Sequence, residues 1–178
     1  MEINNFDITL RLAELDDASF IVDVRNDEKK SRFISQSTSD ESQQKEWLRG
    51  YKLRESQGLE YYFIAEDKNS NPFATYRVYN INENTVDIGS WITVPGWKSP
   101  LDAIKVDFLV KDFVFNKLNY GVLKFDVRKL NKSVNNYHKK YNPTIIDEDE
   151  NNFYFELTKQ NFQETRGQFE KLFNKIKN

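Results

Sequence analysis

The run from about Leu101 to Asn119 limits the possible folds more than any other stretch of the chain. Leu101, Ile104, Val106, Phe108, Leu109, Val110, Phe113, Val114, Phe115 and Leu118 cover most of the circumference of a helix. Lys105, Asp112, Asn116 and Asn119 leave only a narrow polar stripe. A helix that is apolar nearly all round must be buried, here against a sheet with other elements at its sides. Ser99 can cap it, Pro100 suits its first position, and Asp102 gives an Asp version of the capping box. Gly121 stands where a breaker ends such a run.

What flanks this helix is rich in strands. Ile8 to Ala13 alternates as a first strand, and a helix capped by Asp16 runs to Arg25. Phe33-Ile34-Ser35 lies in a polar connection, and a second helix spans about Ser39 to Ser56. Tyr61 to Ala65 and Phe73 to Tyr79 form a hairpin across a polar turn, and Thr85 to Val94 extends it to an antiparallel meander. Gly89, inside that last strand, marks either a bulge or a close approach by another backbone. Val122 to Arg128 is the return strand after the buried helix, and residues 131–143 form a short helix. Thr144 to Ile146 and Phe153 to Leu157 close as a hairpin around the solvated acidic run Asp147 to Glu150. A final amphipathic helix, about Asn161 to Lys177, either caps the sheet or makes a dimer contact. The fold class is therefore α/β in the mixed α+β sense.

The 178 residues suit a single domain, with an N-terminal part to about residue 95, a central part to about 143 and a closing part beyond. A formal net charge of −2 gives no electrostatic case for a nucleic-acid partner. With 14 Phe and 9 Tyr, large rings can build the core from fewer apolar residues. Cys is absent, which excludes disulfides and a Cys nucleophile and suits a reducing cytoplasm; a lone His excludes a multi-histidine metal centre. No apolar run has transmembrane length and none reads as a signal peptide. Many Asn and Lys with few Gly and Pro point to an AT-rich bacterial genome.

The order Asn131, Val134, Tyr137, His138, Lys139, Lys140, Tyr141 resembles the second motif helix of the GNAT superfamily of N-acetyltransferases. Gly89-Ser-Trp-Ile-Thr-Val94 resembles the superfamily's strand beside the acyl-CoA slot. An opening Leu-Arg, a helix ending in Arg25-Asn26, the aromatic Phe33 and a helix bearing Trp47 are similar to bacterial enzymes that acetylate nucleotide-activated amino sugars. The resemblance implies a mostly antiparallel sheet of six to seven strands, with one splayed pair, flanked by helices. It also implies acetyl-CoA as co-substrate, no metal, and an amine acceptor, best an amino-sugar nucleotide for surface polysaccharide. In the superfamily's pyrophosphate loop, Lys98 takes the basic position, Leu101 the first Gly and Ala103 the last small residue. Leu101 departs from that pattern, Asp102 adds negative charge at the mouth, and Asn142-Pro143 replaces a Gly-Phe ending. The helix tip thus serves either a pyrophosphate or only its own cap.

Direct attack by an amine on a thioester needs a base, an oxyanion donor and a proton for the leaving thiolate. The resemblance assigns the last role to His138, with Tyr137 and Tyr141 as neighbours able to substitute; an imidazole ordinarily titrates near neutrality. Asp87, then Glu66, are the base candidates, and the backbone of Ile92, Thr93 and Val94 would hold the pantetheine and oxyanion. Asn131 fixes the CoA arm or the helix start, and Arg25, Asn26, Phe33 and Trp47 form the acceptor wall. Each has a plain structural reading beside it: a core Trp, a helix-terminal Arg, a packed His. Other readings are a non-catalytic module of the same fold, or an enzyme acting on protein N-termini.

Overall fold

The computed structural model describes residues 1–28, 33, 34 and 37–175. Eight strands form one sheet among them, in the order β1-β2-β3-β4-β5-β6-β8-β7. They are β1 Glu2–Asn5, β2 Ile8–Leu12, β3 Tyr61–Asp67, β4 Pro72–Tyr79, β5 Val86–Thr93, β6 Val122–Arg128, β7 Thr144–Glu148 and β8 Asn152–Thr158. Neighbours are antiparallel except β5 and β6, which run parallel. The described helices are α1 Ala18–Asn26, α2 Glu41–Ser56, α3 Pro100–Asp112, α4 Lys132–His138 and α5 Lys159–Lys175. Ser35 and Ile176 lie outside the described residues.

The strand count exceeds the expected six to seven because β1 pairs with β2 around a two-residue turn, Asn5 opposite Ile8. Phe6 and Asp7 both sit at positive φ, 55° and 62°, the backbone of a type I′ hairpin. A Phe there gives no turn signal in the sequence. Its ring offsets the strain by packing 4.8 Å from Phe173 and 5.9 Å from Phe108.

Each face of the sheet carries its own layer. On one, α3 and α5 bury Phe108, Phe162, Phe169 and Phe173 against Phe63, Phe73, Val78 and Phe155. The final helix therefore caps the sheet. On the other, α1 and α2 pack Ala18, Ile21, Leu48 and Tyr51 on Tyr62 and Ile64 of β3. Alternation along β4 sends Tyr76 to the first layer and Arg77 to the second. Tyr76 accordingly meets Asp107 of α3, and Arg77 lies over Trp47 of α2.

Several helix ends differ from the expected ones. Asp40 caps α2, accepting from the Ser42 and Gln43 amides at 2.7 and 3.2 Å. Ahead of α1 a 3-10 turn, Leu15–Asp17, is closed by Glu14 and Asp17 and not by Asp16. Beyond α3 the chain makes a π turn, Phe113–Lys117, and the left-handed residue that ends it is Asn119, φ 61°, not Gly121. Asn142 also takes the left-handed conformation, φ 53°, closing the turn after α4 as its Gly-like position requires.

Candidate active site

The parallel strands β5 and β6 share only two register pairs, Val86 with Leu123 and Asp87 with Lys124. Beyond Asp87 they diverge, although both continue. The cause lies on the other edge of β5. Opposite the single residue Tyr76 of β4, β5 places two, Ser90 and Trp91. Ser90 adopts φ 53°, and the Thr75 hydroxyl donates to its carbonyl at 2.9 Å. That bulge bends β5 away from β6. Gly89, expected to mark either a bulge or a close approach by another backbone, is a point of close approach by a side chain: a Cβ there would lie 2.9 Å from the Tyr79 hydroxyl.

The split opens a cavity of about 920 Å³. Trp97, Ser99, Pro100, Ala103 and Ile104 line it at the N-terminus of α3, and Asn131, Ser133 and Val134 line it at the start of α4. Tyr76, Trp91, Phe125, Tyr137 and His138 line it on the α3 side of the sheet, and Arg77, Tyr79, Asp126 and Arg128 also border it. Leu101 packs against the core and is not part of the lining, so the departure at the expected Gly does not fill the slot. Lys98 is exposed and outside the lining. The capping box does not form: Ser99 makes no side-chain cap bond, and Asp102 is held by the Trp97 indole and Lys105, each at 3.1 Å. Its charge is thereby paired locally, leaving the helix tip suited to an anion. Asn131 spends its side-chain oxygen on the Val134 amide at 3.3 Å, fixing the helix start. Val94 donates its amide to Phe73 at 2.8 Å, so that N–H serves the sheet and not an oxyanion. Ile92 and Thr93 line the cavity.

Beneath the lining lies a cluster that the sequence reading missed. Asp107 and Lys111, one turn apart on α3, are both fully buried and ion-paired. Tyr76 and Tyr137 donate to the two Asp107 carboxylate oxygens, each at 2.6 Å, and the Tyr137 and Tyr141 hydroxyls are 3.1 Å apart. Lys111 Nζ is 3.3 Å from His138 Nδ1. Burial alone would raise the Asp107 carboxyl, but Lys111 and its hydrogen bonds hold it below the ordinary range. Burial lowers Lys111, which Asp107 only partly offsets. Burial and the Lys111 charge pull His138 down to about 3. The motif points to an imidazole titrating near neutrality; in the fold His138 is 3% exposed, and its lowered pKa favours the neutral ring at pH 7. Burial pushes the Tyr137 hydroxyl well up. The readable signal was an acid and a base at i and i+4 on an otherwise apolar face.

Of the acceptor candidates, Phe33 borders the cavity. Trp47 is set back from it, stacked on Tyr51 and covered by the Arg77 guanidinium at 4.9 Å. Arg77 in turn donates to Glu60 at 2.8 and 2.5 Å. Arg25 is buried at the end of α1, and Asn26 donates to the Val22 and Thr38 carbonyls at 2.9 Å, joining α1 to the start of α2. Neither base candidate borders the cavity. Asp87 lies at the closed end of the split and accepts from Asn80 at 2.7 Å, and Glu66 pairs with Arg11 at 2.7 Å. Asp126 is the lining carboxylate among the described residues. Water still reaches it, yet the surrounding walls push its carboxyl up, with Asp149 and Asp87 adding to this and Arg128 opposing.

Comparison with known proteins agrees with this geometry. No curated protein sequence matches. The structure of FdhC, described as a nucleotide-linked sugar GNAT, superposes with a TM-score of 0.85 at 35% identity, covering 95% of this chain and 96% of that one. A ribosomal-protein-S5-alanine acetyltransferase from Vibrio fischeri shares the fold, with a TM-score of 0.78 at 14% identity over 89% of this chain and 97% of that one. So does spermidine N-acetyltransferase SpeG from Vibrio cholerae, with a TM-score of 0.73 at 16% identity over 89% and 97%. The family model for the acetyltransferase (GNAT) domain matches residues 7–142, and the chain belongs to that family of acetyltransferases.

Proposed function

We propose that this acetyltransferase moves an acetyl group from acetyl-CoA to the primary amine of a nucleotide-linked amino sugar, by direct attack in a ternary complex. The observation that carries the reading is the two-pair zipper of β5 and β6. It leaves the inner edge of β5 facing a cavity with the tip of α3 at its rim, a place for an extended amide-bearing arm ending in phosphates. The choice of acceptor is supported by the similarity to a nucleotide-linked sugar GNAT over nearly the whole chain. The product would suit surface polysaccharide.

In this reading Asp126, and not Asp87, takes the proton from the attacking amine. Asp126 borders the cavity and Asp87 does not, and a carboxyl held above its ordinary value suits a proton leaving an amine near neutrality. Arg77 and Tyr79 border the acceptor side, with Trp47 and Glu60 holding the guanidinium in place. A panel of amines tests the assignment: nucleotide-linked amino sugars, spermidine and peptide N-termini, each with acetyl-CoA and a thiol reporter. Turnover with an amino-sugar nucleotide at a kcat/KM well above the others is expected. A preference for the polyamine or the peptide would overturn the acceptor assignment. Asp126→Asn should lower kcat about 100-fold with little change in KM for acetyl-CoA.

A further inference from the structure

The acetyl-transfer reading leaves one proton without a source. Expulsion of the CoA thiolate requires a proton at sulfur, yet His138 carries none to spare as an imidazolium. Resting on that reading, we infer that Lys111, held by Asp107, is the proton source for the departing thiolate and delivers it through the neutral ring of His138.

The geometry sets the direction of transfer. An ammonium has only donors, so Lys111 Nζ, 3.3 Å away, must donate to His138 Nδ1. The ring proton then sits on Nε2. That nitrogen makes no hydrogen bond among the described residues, and His138 borders the cavity. Tyr137 is a poorer candidate, because its proton already holds Asp107. The groups facing Lys111 are Asp107 on its own helix, Phe125 of β6, and Tyr137, His138 and Tyr141 from the α4 segment.

The step balances. The amine nitrogen bonds to the thioester carbon and loses one proton to Asp126. The carbon–sulfur bond breaks, and sulfur takes the Nε2 proton. Nδ1 takes a proton from Lys111, which is left as a neutral amine beside the Asp107 carboxylate. No imidazolium forms at any point. After product release Asp126 gives its proton to water, Lys111 regains one, and the ring returns to the Nε2–H form. Burying an ammonium and a carboxylate is costly, and an apolar pair of similar size would hold the helix as well. A lysine whose pKa lies below its ordinary value is also closer in acidity to the thiol it must protonate.

Because the chain has one His, 15N-histidine labelling gives a single ring to read by NMR. The expected spectrum shows a protonated Nε2 and a bare Nδ1, unchanged from pH 8 to pH 5. An Nδ1–H tautomer or an imidazolium in that range would overturn the relay without any assay of activity. The second arm is kinetic. Asp107→Asn/Lys111→Met removes both charges while keeping the volumes. It should lower kcat by about 100-fold or more, leave KM for acetyl-CoA within about threefold, and abolish the fall in kcat that deprotonation of Lys111 causes at high pH. A folded double variant with unchanged kcat and an unchanged pH profile would refute the relay alone. Failure of the wild-type chain to bind acetyl-CoA would instead refute the reading on which it rests.

Discussion

His138 shows how a residue can be legible in position and illegible in state. Its place in the motif order is plain, but its protonation is set by Lys111, which arrives from another helix, and by burial that no local pattern announces. Its pKa, lowered to about 3, has a consequence for stability. Between about pH 6.5 and that value the unfolded chain binds a proton here that the folded chain does not, so stability rises with pH across the window. Urea unfolding should show a loss on the order of 2 kcal/mol between pH 7 and pH 5 from this group. His138→Gln should flatten that slope, and an unchanged slope would contradict the buried neutral ring. Asp107 adds nothing in this range, because its lowered carboxyl loses stability only below the ordinary carboxylate pKa. Asp126 was hidden for a different reason: alternation on β6 reads as a plain strand, and only the splay makes its outward residues Asp126 and Arg128 part of a cavity wall.

At the scale of elements, the meander, the buried helix and the short helix after β6 were readable, since each follows from hydrophobic period and end signals. The details that create the site were not. The bulge sits at Ser90, a residue with no conformational advantage at positive φ, because the pairing with β4 and the Thr75 hydroxyl hold it there. Gly89 is required one residue earlier by the ring of Tyr79. Gly89→Ala should therefore push Tyr79 into the cavity, cost about 1 to 2 kcal/mol in unfolding free energy and raise KM for the acceptor more than for acetyl-CoA. Adding Tyr79→Phe, which removes the nearest atom, should recover part of both effects. Equal KM changes for the two substrates would place Tyr79 elsewhere than on the acceptor side.

For the whole molecule, one sheet is asked to do two incompatible things. It must be continuous enough to bury two aromatic layers, and open enough in the middle to admit a co-substrate. The solution is a parallel pair zipped at one end, between antiparallel ladders that carry the stability on either side. The buried helix α3 serves both demands, closing one layer with Phe108 and presenting its N-terminus to the gap with Ala103. Calorimetric titration with acetyl-CoA, on the wild-type chain and on Ala103→Trp, tests this most directly. Saturable one-to-one binding that the indole weakens about tenfold or more, with the thermal unfolding of the free proteins alike, is the predicted result. No heat at millimolar acetyl-CoA, or equal binding by both chains, would contradict a cofactor arm held in the split between β5 and β6.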